Sequence, residues 1–318
     1  MFKNEVKNII GVVLKPMLNL FRINTGNLSV FNYHDVTKNP SEFEKEFNLF
    51  VTPDVFEKQI VWIKNNFNII HPEDIMDGNK IPRRAAIITF DDGFLGAFKS
   101  GLEILRNHNI TPVMFLNMYT IQESVPMLSA LVCYMDRHIE NFRNLAKREG
   151  LNQPYYLSMT PNALKSIKKN LPSIDYRAVI DYQGVLVSSE EINKWSSKYV
   201  VYGNHLYDHW NCKALTNSEL IEQYSSNEKA LSNLKNSIKF FAFTNGQPGT
   251  CFTSKDIATI KNMGAKKIFT TFGGVNRNCD YSVLGRVSFT NDDGKDGLLW
   301  YRLARSILSE LKGPRKAL

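Results

Sequence analysis

The chain has 318 residues, 43% of them hydrophobic and 22% charged, so it can bury a large core and is not disordered, collagen-like or a coiled coil. Its 39 basic and 31 acidic residues give a net charge of +8, which allows an anionic partner. Nucleic-acid binding is not expected, because no basic run, aromatic platform or nucleic-acid-binding motif accompanies that charge. The length fits one large domain or two small ones.

The first 27 residues form a separate segment. Apolar residues recur at helical spacing between residues 2 and 18, with lysines at other positions, which predicts an amphipathic helix over 1–27. The apolar run 9–14 is short, Lys15 and Pro16 interrupt it, and no small-residue cleavage site follows, so a spanning helix is not expected. Three interpretations stay open: a helix packed on the domain, an interfacial helix that makes peripheral contact with anionic lipid, and an uncleaved export signal.

Beyond residue 27, short apolar runs alternate with longer helix-like stretches, which is typical of parallel βα units. The runs that predict strands are 28–33, 85–90, 111–116, 198–202, 240–243 and 267–271. Polar residues stand at or just past their ends: His34, Asp35, Asp91, Asp92, Asn117, His205, Thr244, Asn245 and Thr271. The ends of parallel strands converge on one rim of a barrel, where active sites lie, so we expect these residues near one site.

Residues 123–197 interrupt this rhythm, because they contain helix-like stretches and no comparable strand signal. We expect a helical insertion that covers one side of the rim. Residues 28–318 would then form a single barrel with an insertion at about 123–197.

The four cysteines lie far apart and form no C-x-x-C pair; they are Cys133, Cys212, Cys251 and Cys279. Their spacing predicts neither a zinc ribbon nor a disulfide framework. We expect reduced thiols in a cytoplasmic protein.

Two short motifs carry residue types suited to chemistry. In T-F-D-D-G, Asp91 and Asp92 end a buried strand, and adjacent residues of a strand point in different directions, so one can bind a cation while the other faces a substrate. In H-L-Y-D-H, His205 and His209 have the spacing of one face in the first turn of a helix and can reach a single ion. Two imidazoles and one carboxylate with an open position make a catalytic zinc set.

With these two motifs in this order, the chain resembles the polysaccharide deacetylase family, the NodB-homology or carbohydrate esterase family 4 metalloenzymes. The resemblance implies a distorted, incomplete (β/α)7-type barrel and a divalent metal, most often Zn²⁺, with Co²⁺, Ni²⁺ and Mn²⁺ as alternatives. It makes Asp92, His205 and His209 the metal ligands and Asp91 the general base.

The chain departs from the family in the group that protonates the leaving amine. Many members use a histidine of a C-terminal L-x-x-H-D motif, but His209 is the last histidine of this chain, and L-G-R-V at 284–287 stands in the corresponding region. The candidate acid is His34, whose ordinary pKa of about 6.5 suits proton donation and which Asp35 would orient. Arg286 is the candidate partner of Asp91, which it would keep ionised.

Three further residues are candidates for substrate binding: Asn117, Asn245 and Gly246. The sequence thus predicts a metal-dependent hydrolase of carbon–nitrogen bonds that removes the acyl group of an N-acylated amino sugar or oligosaccharide. We expect it to act in the synthesis of a bacterial surface polysaccharide or glycolipid precursor, in the cytoplasm at the inner membrane face. The alternative is a catalytically impaired, metal-binding barrel that serves as a glycan-binding or scaffold protein.

Overall fold

The computed structural model of the protein describes residues 2–23, 28–76, 81–171, 173–195, 198–276 and 282–312. In chain order, the strands are β1 (Leu28–Tyr33), β2 (Asp35–Val36), β3 (Phe50–Val51), β4 (Asn68–Ile69), β5 (Ala85–Phe90), β6 (Val113–Leu116), β7 (Val201–Asn204), β8 (Ser237–Ala242), β9 (Lys267–Thr270), β10 (Val275–Asn276), β11 (Val283–Gly285) and β12 (Val287–Ser288). The α-helices are α1 (Phe2–Ile23), α2 (Glu42–Phe47), α3 (Pro53–Asn66), α4 (Leu102–Asn107), α5 (Met118–Glu123), α6 (Leu128–His138), α7 (Phe142–Arg148), α8 (Tyr155–Ser158), α9 (Pro161–Lys169), α10 (Tyr176–Gln183), α11 (Ser189–Asn193), α12 (Asn217–Leu231), α13 (Ser254–Asn262) and α14 (Asp296–Lys312).

The main sheet follows the order β10-β1-β5-β6-β7-β8-β9-β11, and all neighbours from β1 to β11 are parallel. β11 pairs with β9, whereas β12, one residue further on, pairs with β1. The last strand segment therefore bridges the two ends of the sheet and nearly closes it into a barrel, with Arg286 between its two halves. Strands β1 and β5 are buried along their whole length, as expected of parallel strands covered on both faces. The predicted α/β barrel is confirmed.

Some strand boundaries differ from the prediction. β7 begins at Val201, because it pairs in register with β6, Val113 opposite Val201, and not at residue 198. β8 begins at Ser237 and ends at Ala242, so it starts earlier than the apolar run. In both cases the pairing partner sets the boundary, which hydrophobicity alone does not specify.

The insertion consists of the short helices α6 to α11 between β6 and β7. Its apolar residues share a core with the segments that follow β7 and β8: Leu131 and Phe142 belong to the same buried cluster as Trp210 and Phe243. This shared core fixes the insertion against the carboxyl ends of the strands.

Helix α1 packs on α14 through a close contact between two glycines. A Cβ atom on Gly11 would lie 1.6 Å from the carbonyl oxygen of Gly297, and one on Gly297 would lie 2.1 Å from that of Asn8. Leu18 is also buried on this side. The interpretation of α1 as a helix packed on the domain is confirmed for this face. None of the described helices is both long enough and apolar enough to cross a bilayer.

A buried pair of carboxyl groups joins the start of the barrel to the insertion. Asp35 and Glu44 are 6% and 2% exposed, and their carboxyl groups lie close enough to interact. Ser41, the N-cap of α2, donates its hydroxyl to the carbonyl of Gln183 at the end of α10. Burial and the neighbouring Glu44 raise the pKa of Asp35 to about 8, so it holds a proton at neutral pH.

We predict that Asp35→Asn gains stability over the wild type as the pH rises. The folded-state pKa of Asp35 lies above its ordinary value of 3.8, so its contribution is complete below pH 3.8 and is lost as the pH rises through about 8. Asparagine keeps a donor towards Glu44 and does not titrate. Urea unfolding at a series of pH values measures the difference, with the exposed Asp292→Asn as control. Parallel stability profiles for the wild type and Asp35→Asn would contradict this assignment.

Candidate active site

Asp91 is held by a buried arginine at the point where the barrel closes. Arg286 donates from both terminal nitrogens to the two carboxylate oxygens of Asp91, at 2.6 and 2.8 Å, and its side chain is fully buried. Asn32 of β1 donates to the same carboxylate at 3.2 Å and accepts from Arg286 at 2.8 Å. The geometry matches the predicted partnership of Arg286 with Asp91.

Asp92 lies against two imidazoles. Its Oδ1 is 3.3 Å from Nε2 of His205 and 3.1 Å from Nε2 of His209, and the ligand atoms of the three residues lie within 4.8 Å of one another. The Nδ1 of His205 lies 2.8 Å from the carbonyl of Ala242, and because a carbonyl only accepts, the proton is on Nδ1. This leaves Nε2 of His205 facing Oδ1 of Asp92, where the neutral imidazole can bind a cation.

This arrangement fits a divalent cation. Oδ1 of Asp92 is buried without a hydrogen-bond partner although two imidazole nitrogens face it, and a positive charge between these groups, a metal cation or an imidazole proton, compensates the buried carboxylate. Two imidazole nitrogens and a carboxylate oxygen suit zinc and similar ions, and the carbonyl of Ala242 orients the first imidazole from behind.

Burial and neighbouring charges set the ionisation of both aspartates. Burial raises the pKa of Asp91, but Arg286, His205 and His34 together lower it by more, so the net pKa lies below the ordinary value. Burial likewise raises the pKa of Asp92, and the imidazoles of His209 and His205 bring it well below that value. Both carboxylates are therefore ionised at neutral pH.

The segment that carries His205 and His209 is not a helix, and this prediction is wrong. Residues 205–211 form an irregular loop, in which Leu206 and His209 adopt positive φ of 63° and 32°. Two buried side chains hold the loop: Asn204 accepts from the N–H of Leu206 at 2.9 Å, and Asn117 donates to the carbonyls of His205 and Leu206. The loop, and not helical periodicity, brings the two imidazoles together.

His34 lies beside Asp91, and Asp35 does not orient it. Nε2 of His34 is 3.9 Å from Oδ2 of Asp91, and its side chain is 21% exposed. The carboxyl of Asp35 turns instead to the N–H of Val36 and to Glu44, because it faces the other side of the chain. Burial, with the positive charges of Arg286 and His205, lowers the pKa of His34 by more than the two nearby aspartates raise it, so His34 is neutral at neutral pH.

A cavity of about 330 Å³ lies over these groups. Its floor contains His34, Asp91, Asp92, His205 and His209. Four of its wall residues come from the insertion: Ser129, Cys133, Tyr156 and Leu157. The remaining wall residues follow β2, β8 and β9: Phe43, Phe47, Leu49, Asn245, Gln247, Thr250, Cys251 and Thr271. The structure thus brings most of the polar strand-end residues to one cavity.

The three candidate substrate-binding residues have different positions. Asn245 lines the cavity, and its buried Nδ2 has no hydrogen-bond partner. Gly246, at φ 65°, lets the loop approach β9, because a Cβ there would lie 2.6 Å from the side chain of Thr271. Asn117 is fully buried under the histidine loop and is not a cavity-wall residue, so the structure gives it a positioning role instead.

Sequence reasoning missed several residues of the site. Asn32 lies inside an apolar strand, and a polar residue in a fully buried strand was the signal that could have found it. Asn227 donates its side-chain amide to Oδ1 of Asn204 at 2.9 Å, and both residues are buried. Asn227 also accepts from the backbone N–H of Met118, next to Asn117. The aromatic wall residues gave no signal, because Phe43 and Tyr156 lie in amphipathic stretches typical of any core.

A model of the family described as polysaccharide deacetylase matches residues 78–268, more than half of the chain. The chain belongs to the polysaccharide deacetylase family. It is therefore a hydrolase that acts on carbon–nitrogen bonds, a deacetylase of polysaccharide, and the resemblance expected from its motifs is confirmed. No curated protein matches the sequence.

Solved structures of deacetylases share the fold of this polysaccharide deacetylase. IcaB from Ammonifex degensii aligns with a TM-score of 0.58 and 18% identity, covering 88% of this chain and 98% of its own. A de-N-acetylase from Aggregatibacter actinomycetemcomitans gives 0.56 and 15%, covering 86% and 99%. The Streptococcus pyogenes deacetylase PplD, solved in complex with acetate, gives 0.53 and 13%, covering 88% and 99%. At these identities the likeness supports the fold.

We predict that Asn117→Ala destabilises this deacetylase by about 2 kcal/mol, because the buried carbonyls of His205 and Leu206 lose their donor. Urea unfolding measures the loss. Asn65→Ala, an exposed asparagine on α3, is the control and should change the stability little. Equal effects of the two variants would show that Asn117 does not hold the loop.

Proposed function

We propose that the protein hydrolyses the amide of an N-acylated amino sugar, with a divalent metal held by Asp92, His205 and His209 and with Asp91 as general base. The observation that carries the proposal is the convergence, in one cavity, of an ionised carboxylate fixed by Arg286 and a buried set of three ligands. The acyl group that the protein removes is an acetyl or a formyl group.

The proposed metal is Zn²⁺. The same nitrogen and oxygen donors also bind Co²⁺, Ni²⁺ and Mn²⁺, which are the alternatives. When bound, the metal would polarise the acyl carbonyl and make water more acidic. The unpartnered Oδ1 of Asp92 and the Nδ1 proton of His205 support the assignment of these side chains as ligands.

Asp91 supplies the base. Its ionised carboxylate faces the cavity, and Arg286 fixes both oxygens, so its orientation needs no adjustment when a water molecule loses a proton to it. Arg286 does not line the cavity and acts through Asp91, which makes it a positioning residue.

His34 is the candidate acid for the leaving nitrogen. Because its pKa is lowered, it starts neutral and must receive a proton before it donates one. Asp91 is the proposed source of that proton: its Oδ2 is 3.9 Å from Nε2 of His34, beyond direct hydrogen-bond distance, so the proton would cross through one bridging water molecule. In the proposed reaction, the proton taken from water by Asp91 passes through His34 to the amine.

The cavity walls support a sugar as substrate. Asn245, Gln247 and Thr271 offer hydrogen-bonding groups, whereas Phe43, Phe47 and Tyr156 offer rings that can pack against a sugar face. A second cavity, of about 380 Å³, shares Phe47, Cys133 and Tyr156 with the first. A substrate can therefore extend from the reacting sugar into this neighbouring space, as an oligosaccharide or lipid-linked sugar would.

We propose that the reaction belongs to the assembly of a bacterial surface polysaccharide or glycolipid precursor. It would take place in the cytoplasm, at the inner face of the membrane. Three buried, unpaired thiols, Cys133, Cys212 and Cys251, support a reducing compartment. Cys279 lies outside the described residues.

The second candidate function is a metal-binding barrel with impaired turnover that binds glycans or acts as a scaffold. The family's second motif is usually H-[ST]-x-x-H, and this chain has Leu206 in place of the Ser or Thr. This replacement, together with a neutral His34, favours the second candidate. The firm fixation of Asp91 favours the enzyme, because a binding protein has no need of an oriented base.

The metal-loaded protein is expected to release acetate or formate from a panel of N-acyl amino sugars. Asp91→Asn should keep the metal and lower kcat by about 10²- to 10⁴-fold, as loss of a general base does. Asp92→Ala should lose the metal, measured by elemental analysis after dialysis, and the exposed Asp292→Asn should leave both readouts unchanged.

No release from protein that holds its metal would refute the hydrolase assignment for that panel. Glycan binding that Asp91→Asn leaves unaltered, again without product, would favour the scaffold function. Full turnover of His34→Gln would place the acid elsewhere.

We also expect Arg286→Gln to move the acid limb of the pH profile of kcat/KM to higher pH. Arg286 lowers the pKa of Asp91, and the base works only when ionised, so activity falls as the pH drops through that pKa. Removal of the arginine raises the pKa and shifts the limb upwards, whereas Arg286→Lys, which keeps the charge, should shift it less. Circular dichroism checks folding, since breaking a buried ion pair costs about 3–5 kcal/mol. An unmoved limb in folded Arg286→Gln would contradict the role.

A further inference from the structure

Helix α1 packs on α14 and the core with only one side and exposes large apolar residues on the other. The side that faces α14 contains Gly11, with Leu14 and Leu18 packed on the core. Ile9 and Val13, on the opposite side, are 63% and 68% exposed. A helix that served only to complete the core would point these side chains inwards.

The exposed apolar residues of α1 form one continuous face that runs along most of the helix. They are Val6, Ile9, Ile10, Val12, Val13 and Met17, each at least 40% exposed. Scattered single apolar residues on a surface need no explanation, but a contiguous set on one helix indicates a partner. The contact with α14 leaves this face uncovered in the structure.

The charges around this face are basic. Lys3 is exposed, and Glu5, the acidic residue of α1, forms an ion pair with Lys295, so its charge is compensated. Lys15 lies instead on the α14 side, over the ring of Trp300. On the neighbouring helix α14, Arg305 is exposed. An apolar face with lysine and arginine at its edges complements an anionic, partly apolar surface, which is what anionic lipid presents.

We infer that α1 is an interfacial anchor whose exposed apolar face inserts at the headgroup level of an anionic lipid bilayer. The same face is a poorer fit to a second copy of the chain, because a second copy carries the same basic residues beside its apolar face and not the anionic groups that these residues complement. Pro16 also leaves the carbonyl of Val12 without its helical donor, and water at the headgroup level can satisfy that carbonyl. This anchor is independent of the proposed chemistry.

The test is co-sedimentation of the full chain with vesicles of phosphatidylcholine, with and without phosphatidylglycerol. The wild type should sediment with the anionic vesicles. Ile9→Gln combined with Val13→Gln should lower the partition coefficient about tenfold or more, because two apolar side chains no longer enter the lipid. Lys3→Gln combined with Arg305→Gln should reduce the preference for phosphatidylglycerol.

Val185→Gln is the matched control, because Val185 is 58% exposed on the insertion, away from α1, and its replacement should leave vesicle binding unchanged. Circular dichroism shows that the variants fold. Absence of vesicle binding by the wild type would overturn the inference, as would equal losses from Val185→Gln and Val13→Gln. A dimer in solution that Ile9→Gln with Val13→Gln dissociates, without vesicle binding, would assign the face to a second copy.

Discussion

The ion pair between Arg286 and Asp91 connects the two ends of the parallel sheet. Arg286 lies between β11, which pairs with β9, and β12, which pairs with β1, while Asp91 follows β5. An arginine buried at this junction needs a full set of acceptors, and Asp91, Asn32 and the carbonyl of Thr270 provide them. The same ion pair therefore closes the barrel and orients the proposed base. A change that weakens this ion pair affects both.

The candidate metal centre imposes a second constraint, because its backbone is strained. Asp92, Leu206, His209 and Asn245 all adopt left-handed φ, which costs of order 1–3 kcal/mol for each such residue. Buried asparagines offset this cost: Asn204 and Asn117 hydrogen-bond the histidine loop, and Asn227 binds Asn204 in turn. The strain is tolerated where side-chain amides, and not a regular helix, satisfy the backbone.

These features explain how far the sequence could predict the structure. Apolar runs followed by polar residues predicted the strands, and the rule that parallel strand ends meet predicted that Asp92 and His205 converge. The helix assigned to His205 and His209 failed, because i,i+4 spacing does not show that Leu206 and His209 adopt positive φ. Asn117 was expected at the substrate, but only tertiary contacts reveal that it supports a loop. Periodicity found α1 but could not tell which of its faces packs on α14.

The absence of a histidine after residue 209 has a consequence for proton transfer in the proposed reaction. Where many relatives have a C-terminal histidine, this chain places Arg286, which binds both oxygens of Asp91 and cannot itself give up a proton. A proton that reaches Asp91 weakens one of these charged hydrogen bonds, so Asp91 tends to pass it on. His34, at the end of the adjacent strand and kept neutral by burial, faces the cavity with its Nε2 3.9 Å from Oδ2 of Asp91 and is the proposed receiver. Base and acid then stand at the ends of β5 and β1, on the side of the barrel that the bridging strand closes.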